Sequence, residues 1–402
     1  MPDINIRYMY KGKNNSGIVK LFILNMLFVL FFTSCNDELS VEIPLAKTTM
    51  LVYMVADNTL SGEVGNNMNS IMAGVENNTL DGNVLVYTDQ SGSVPQLINI
   101  VKKKDGTVVK NIVKTYEEQN SVNPSVMASV FKDMINKYPA ESYGLVLWSH
   151  GYGWLPGGNN TKTVSTRWFG QDENNKMDIS DLVMALQEGP YFRYILFDAC
   201  FMGNAETAYA LRNCTDYLIA SPTEVLSGGF PYSDIIPYLM SGNESDYVKI
   251  ASLYYNYYNE QTGYYRSASV GVTKCNELEA LAAEINKLIT AHATALNTFN
   301  ASSVQYLESY IPHLFYDLGN FVENFSTEAE RASFEQQLSK TVVYSACTPD
   351  VLSVSSSGTH FIPVNHFSGL STYIPGSNNL AANASYHTME WYTAAGWNKT
   401  AW

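Results

Sequence analysis

The sequence predicts an α/β fold with three layers, α/β/α, around a mainly parallel sheet, and a helical and mixed C-terminal extension. Three observations carry this. Apolar runs such as "MLVYMVA", "VLVY" and "YILF" show no polar alternation, which is how a strand covered on both faces reads. Amphipathic segments of helical period lie between the later runs. The chain has 402 residues, 46% hydrophobic and 13% aromatic, enough for a large core.

At the N-terminus, residues 1–34 hold Arg7, Lys11, Lys13 and Lys20, then the 12-residue apolar run Leu21–Phe32, then Thr33 and Ser34 before Cys35. A basic region, a short apolar region and a small-residue cut site make an export signal. The run falls short of the ~20 residues of a spanning helix. The stretch "FTSC" resembles the lipobox of bacterial lipoproteins, with Phe32 in place of the usual Leu. It implies a lipid on Cys35, and the following "NDE" resembles a tag for the outer surface. The expectation is an exported chain, lipid-anchored to the cell envelope, with residues 35–47 as a tether.

The first strand, "TTMLVYMVADNTL", stops at the turn formers Asp57 and Asn58, and "GNVLVYTDQSGS" repeats the pattern. Alternation on both sides of Asp105-Gly106 predicts a hairpin, read as a small antiparallel flap. "NPSVMASVFKDMINKY" is a helix with Pro124 in its first turn and Val126, Val130, Met134 and Ile135 on its apolar face. It leads into the strand "YGLVLWSH". A loop over residues 151–175 precedes the helix "MDISDLVMALQE", capped by Asp178 or Ser180, and the strand "RYILFDAC". "AETAYALRNC" reads as helix, "DYLIASPTE" and "SASVGVTKC" as strands, and "NELEALAAEINKLITAHATALN" as helix. The tyrosine-rich "YYNYYNEQTGYY" has helical spacing and reads as packing at the core edge. Residues 48–275 therefore form the core, and residues 276–402, with a late strand "SGLSTYIP", pack onto it.

Charge narrows the partners. The net charge is -14, and beyond residue 34 the chain holds 20 basic against 37 acidic residues, a net of -17. Nucleic acid and anionic membrane surfaces are excluded on electrostatic grounds, leaving membrane contact to the lipid alone. A monomer is expected. Cys200, Cys214, Cys275 and Cys347 are widely spaced without a CxxC pair, which argues against a cysteine zinc site and a dense disulfide framework and leaves one bridge among Cys214, Cys275 and Cys347 open. No HExxH or EF-hand spacing occurs, so no metal ligands are assigned.

The reactive side chains sit at strand ends. "SYGLVLWSHG" ends in His150 and "FRYILFDAC" ends in Cys200, with 49 residues between them for a loop and a crossover helix. Ligands bind at the C-terminal ends of parallel strands, so neighbouring strands bring both side chains to one cleft. A helix starting near Met202 is expected to aim its positive end at the Cys200 sulfur and lower its pKa. The amides of Gly151 and Cys200 can hold an oxyanion, and His150 can donate a proton to a leaving amine.

An apolar block ending in His-Gly, followed by one ending in Asp-Ala-Cys, resembles the signature of caspase-like, clan CD cysteine peptidases. With "LVYMVADNTL" in front and "DACFMGNAETAYAL" behind, residues 50–232 resemble the clostripain family in particular. The resemblance implies a caspase-like fold and peptide-bond hydrolysis in proteins or peptides, with His150 and Cys200 as a dyad. It places Asp198 at the pocket for the substrate's P1 side chain. It further implies cleavage after Arg or Lys, self-cleavage in the loop between the catalytic strands, and a response to calcium, although the chemistry itself requires no cofactor.

The pattern is broken at "ASPTEVLSGGFPY", where Phe230 stands at a family Trp and Pro231 at the basic-selective Asp. Asp198 and Glu224 remain as the acidic candidates for that pocket. Lys162, Arg167 and Lys176 are the basic residues in the loop where self-cleavage would fall. The competing reading is a catalytically silent relative whose cleft binds a peptide or glycan.

Overall fold

The computed structural model describes residues 45–154, 168–377 and 379–402. The predicted export signal, Cys35, Lys162 and Arg167 lie outside these residues. Strands follow in the order β1 (Ala46–Ala56), β2 (Gly82–Gln90), β3 (Ser93–Lys102), β4 (Val108–Thr115) and β5 (Ala140–Trp148). Next come the short pair β6 (Phe169–Asp172) and β7 (Asn175–Met177), then β8 (Phe192–Asp198), β9 (Thr215–Ala220) and β10 (Ser269–Lys274). The C-terminal part adds β11 (Tyr316–Asp317), β12 (Val342–Cys347), β13 (Asp350–Ser355), β14 (Gly358–Pro363) and β15 (Ser371–Thr372).

The main sheet has nine strands in the order β12-β10-β9-β8-β5-β1-β2-β3-β4. Its five central strands, β9 to β2, are mutually parallel. These are the continuous apolar runs, and their side chains alternate between two buried faces. On one face Leu51, Tyr53, Val55, Leu145, Leu147, Ile195 and Phe197 meet α2 (Pro124–Lys137), α3 (Ile179–Gln187), α4 (Ala205–Leu211) and α7 (Leu278–Ala291). On the other, Met50, Val52, Met54, Val146, Trp148 and Leu196 meet α1 (Val64–Glu76), α5 (Tyr232–Ser241) and α6 (Glu244–Asn259). Each such side chain contributes roughly 1.5–3 kcal/mol of transfer free energy.

Local details follow from composition. α2 begins with Pro124, and the Asn123 side chain accepts the Ser125 amide. Its buried face is Met127, Val130, Phe131 and Met134, while Val126 and Ile135 are only partly covered. The stripe is thus rotated from the expected one, because Phe131 reaches into the core against Phe192, at 5.5 Å between ring centres. The segment 93–115 is not a separate flap. β3 pairs with β2 from Val84↔Ile100 to Gln90↔Ser93, and β4 pairs with β3, so the hairpin extends the main sheet. Its physical reason is that Leu97, Ile98 and Ile100 are buried. Tyr254 and Tyr258 of the tyrosine-rich stretch are buried in α6, whereas Tyr264 and Tyr265 are exposed.

Residues after 275 supply β12 to the sheet edge, and α7, Trp391 and Trp397 join the buried cluster that holds Phe197 and Tyr209. The four described cysteines are all free thiols. Among the described residues, no helix is long and apolar enough to cross a membrane.

Candidate active site

β5 and β8 are adjacent and parallel, with Trp148 opposite Asp198. His150 and Cys200 each follow two residues later, so both emerge at the same sheet edge and border one cleft of about 290 Å³. Gly151, Asp198 and Glu224 border it too, together with Leu60, Val225, Tyr310 and Val354. All five residues predicted as catalytic, oxyanion-holding or substrate-binding are therefore gathered there.

The His150 loop is held from both sides. Ser149 Oγ donates to Val55 O at 2.7 Å and accepts the Gln171 amide at 3.2 Å. His150 O accepts the Gly170 amide at 2.9 Å, and the Tyr152 amide donates to Trp168 O at 2.7 Å. Gly151 has no room for a side chain, since a Cβ there would lie 2.7 Å from Cys200 O. Among the described residues, the Gly151 and Cys200 amides donate to no other residue. Two N–H groups side by side next to the Cys200 sulfur are the kind of donor pair that an oxyanion requires.

The Cys200 turn departs from expectation. No helix begins at Met202: α4 starts at Ala205, with Asn204 as its cap accepting the Thr207 amide. The intervening residues pair with the β9 loop instead, the Phe201 amide donating to Thr223 O at 2.9 Å and the Gly203 amide to Ser221 O at 2.8 Å. Phe201 takes φ +61°, a left-handed conformation costly for a bulky residue. Stacking on Phe315, at 5.0 Å between ring centres, and the Asn204 side chain donating to Phe201 O hold it there.

No helix dipole therefore reaches the sulfur, and burial pushes the Cys200 thiol up to about 12, with the Glu224 carboxylate adding to it. The Val225 amide offsets part of this by donating to Sγ at 3.3 Å, whereas the Val225 carbonyl, 3.6 Å away, accepts the S–H and so favours the thiol. Burial, then the Lys176 ammonium, hold His150 below the usual imidazole pKa. The resting pair at neutral pH is thus thiol and neutral imidazole. They do not bond each other: His150 Nε2 lies 2.8 Å from Thr59 Oγ1.

Asp198 Oδ2 accepts the Tyr232 hydroxyl at 2.7 Å and the Phe230 amide at 3.1 Å, and burial raises its pKa to about 6. Gly229, at φ +68°, leaves room for that carboxylate, since a Cβ there would stand 2.5 Å from Oδ2. Glu224 accepts the Val354 amide at 2.6 Å and is pushed to about 7 by burial. Pro231 is buried at the start of α5, and Phe230 stacks on Tyr254 at 4.1 Å. Lys176 lies over the Trp168 ring at 4.4 Å.

The sequence reading missed Thr59, Val225, Tyr310 and Val354. Thr59 could have been found, because it follows a strand end at the same sheet edge. Tyr310 and Val354 carry no local signal and reach the cleft through distant chain. Among the described residues, no group of three or more His, Cys, Asp or Glu side chains is placed to hold a metal ion.

The model of the clostripain family matches residues 52–402. The chain is 27% identical to clostripain of Hathewaya histolytica over 233 residues, 50% of this chain and 44% of that protein. It thus spans less than half of that relative's length. Among solved structures it is similar to a secreted C11 cysteine protease from Bacteroides thetaiotaomicron in complex with an irreversible peptide inhibitor. The TM-score is 0.78 at 34% identity, covering 88% of this chain and 100% of that one. It is equally similar to an inactive zymogen C11 protease from Parabacteroides distasonis, with TM-score 0.78 and 37% identity over 88% of this chain and 99% of that one.

Proposed function

The chain belongs to the clostripain family of cysteine peptidases, and on that premise we propose that it is an exported endopeptidase using Cys200 as nucleophile and His150 as proton carrier. The observation that carries this reading is the β5–β8 register, which brings His150, Cys200 and two unspent amides to one cleft. Cys200 Sγ attacks the scissile carbonyl carbon while its proton passes to His150. The oxyanion forms against the Gly151 and Cys200 amides. Collapse expels the amine, which takes the proton from His150, and water then hydrolyses the thioester to release the acid and restore the thiol.

Substrate must first displace the Val225 backbone from the sulfur. A peptide backbone entering there replaces the Val225 contacts, and the chemistry starts only with substrate in place. For specificity, Asp198 and Glu224 are the carboxylates bordering the cleft, and we assign them the selection of Arg or Lys at P1. Both have raised pKa values that a basic side chain would draw down, so each gains a counter-charge on binding. Self-cleavage between residues 151 and 168 and a lipid on Cys35 belong to the same proposal, supported by the basic loop residues, the "FTSC" stretch and the relative described as secreted. The reading contains no calcium step.

The test is hydrolysis of a fluorogenic peptide library varied at P1, by the protein and by its Cys200→Ala variant, with and without calcium. Cleavage after Arg or Lys that vanishes in the variant is expected. Absence of cleavage by the protein, whether intact or nicked in the 151–168 loop, would overturn the peptidase reading in favour of a peptide- or glycan-binding cleft.

A further inference from the structure

We infer that Thr59 is the positioning residue behind His150, adding a third member that orients the pair without moving a proton itself. The inference rests on His150 and Cys200 being the catalytic pair. β1 lies beside β5, with Met54 opposite Trp148, so the turn after β1 emerges next to the His150 loop. There Thr59 Oγ1 stands 2.8 Å from His150 Nε2. The turn itself is fixed by Asn58. Its side-chain amide donates to Val55 O at 3.0 Å and to Gln171 O at 2.6 Å. Its Oδ1 accepts the Leu60 amide at 2.8 Å, and its carbonyl accepts the Ser61 amide at 3.1 Å. Gln171 is one residue from Gly170, whose amide holds the His150 carbonyl. Backbone and ring of His150 are thus referred to one rigid frame.

The chemistry explains what this contact does. An imidazole that carries a proton between sulfur and amine must keep one nitrogen aimed at both and the other occupied. With Nε2 on Thr59, Nδ1 is the nitrogen left to take the thiol proton and give it to the leaving amine. The Nε2 proton stays on the ring throughout, donated to Thr59 Oγ1 both before transfer, when the ring is neutral, and after it, when the ring is imidazolium. A hydroxyl accepts that bond without the full negative charge of a carboxylate. It therefore orients the ring while leaving the imidazole ready to release its proton.

The experiment compares Thr59→Val, Thr59→Ser and Thr59→Asp with His150→Ala in peptide hydrolysis, each checked for an unchanged unfolding temperature. Thr59→Val should lower kcat by about tenfold to a hundredfold, the scale seen when a partner behind a functional histidine is removed, with KM unchanged. Thr59→Ser should restore kcat, and Thr59→Asp should move the acid limb of the pH profile upward. Full kcat and an unmoved pH profile in Thr59→Val, beside an inactive His150→Ala, would overturn the inference alone. An equal loss in Thr59→Ser would overturn it also, as a packing effect. An active His150→Ala would overturn the catalytic pair and the inference with it.

Discussion

The Val225 amide lies 3.3 Å from the Cys200 sulfur, so the backbone of a neighbouring loop occupies that sulfur at rest. With the thiol raised to about 12 by burial and by Glu224, the thiolate fraction at neutral pH is far below that of a free cysteine, whose pKa is about 8.5. Iodoacetamide should label Cys200 slowly at pH 7, and a peptide-borne electrophile with a basic P1 residue much faster. Labelling by iodoacetamide as fast as that of free cysteine, followed by mass spectrometry, would contradict this.

Asp198 separates charge from scaffolding. Asp198→Asn keeps an acceptor for Tyr232 and Phe230, and it should lower kcat/KM for Arg and Lys substrates with little loss of stability. Asp198→Ala leaves both donors unpaired in a buried place, at about 1–3 kcal/mol each, and should also lower the unfolding temperature. With Asp198 at about 6 and Glu224 at about 7 in the free enzyme, KM for a basic substrate should fall as pH rises through that range. A KM independent of pH from 5 to 8 would argue against these carboxylates as the selector.

Stability should run against the usual trend with pH. Asp89 and Glu206 are raised to about 7 by burial, as Glu224 is. A carboxyl whose folded pKa lies above its unfolded value near 4 holds its proton more tightly when folded. Its contribution is present below pH 4 and is lost as pH rises toward 7. Glu206 is fully buried, with Oε1 accepting Thr372 and Tyr373, and its share is on the order of 3 kcal/mol. Thermal unfolding should occur at a lower temperature at pH 8 than at pH 5, and Glu206→Gln should recover part of the difference. An unfolding temperature that rises between pH 5 and 8 would refute this.

Gly151→Ala should cut kcat by a hundredfold or more, the scale of losing one oxyanion donor. The added Cβ meets Cys200 O at 2.7 Å, so the two loops must part and their amides with them. KM and kcat measured together would check it, and an unchanged kcat would remove Gly151 from the oxyanion site.

What was legible in the sequence is what local apolar runs determine. Strand ends at Trp148 and Asp198 were visible because both runs stop abruptly, and the chain between them has room for a loop and crossover helix, while their adjacency is shown by the pairing of the two strands. The turn after Cys200 was not, because Phe201 and Gly203 are claimed by Thr223 and Ser221, partners some twenty residues away. β12 is only partly buried along almost its whole length and β14 is mostly exposed, so neither forms a strand covered on both faces like those of the central sheet. Val225 reaches the sulfur through its backbone, and no side-chain signal reports a backbone contact.

Tyr310 and Val354 wall the cleft, yet they follow Cys200 in the chain by 110 and 154 residues. During synthesis the nucleophile emerges long before the residues that complete its surroundings, and Glu224 waits for the Val354 amide to anchor it. A half-made chain therefore carries Cys200 and His150 without a finished cleft. The order of translation thus postpones a complete cleft until the segment carrying Val354 has been made.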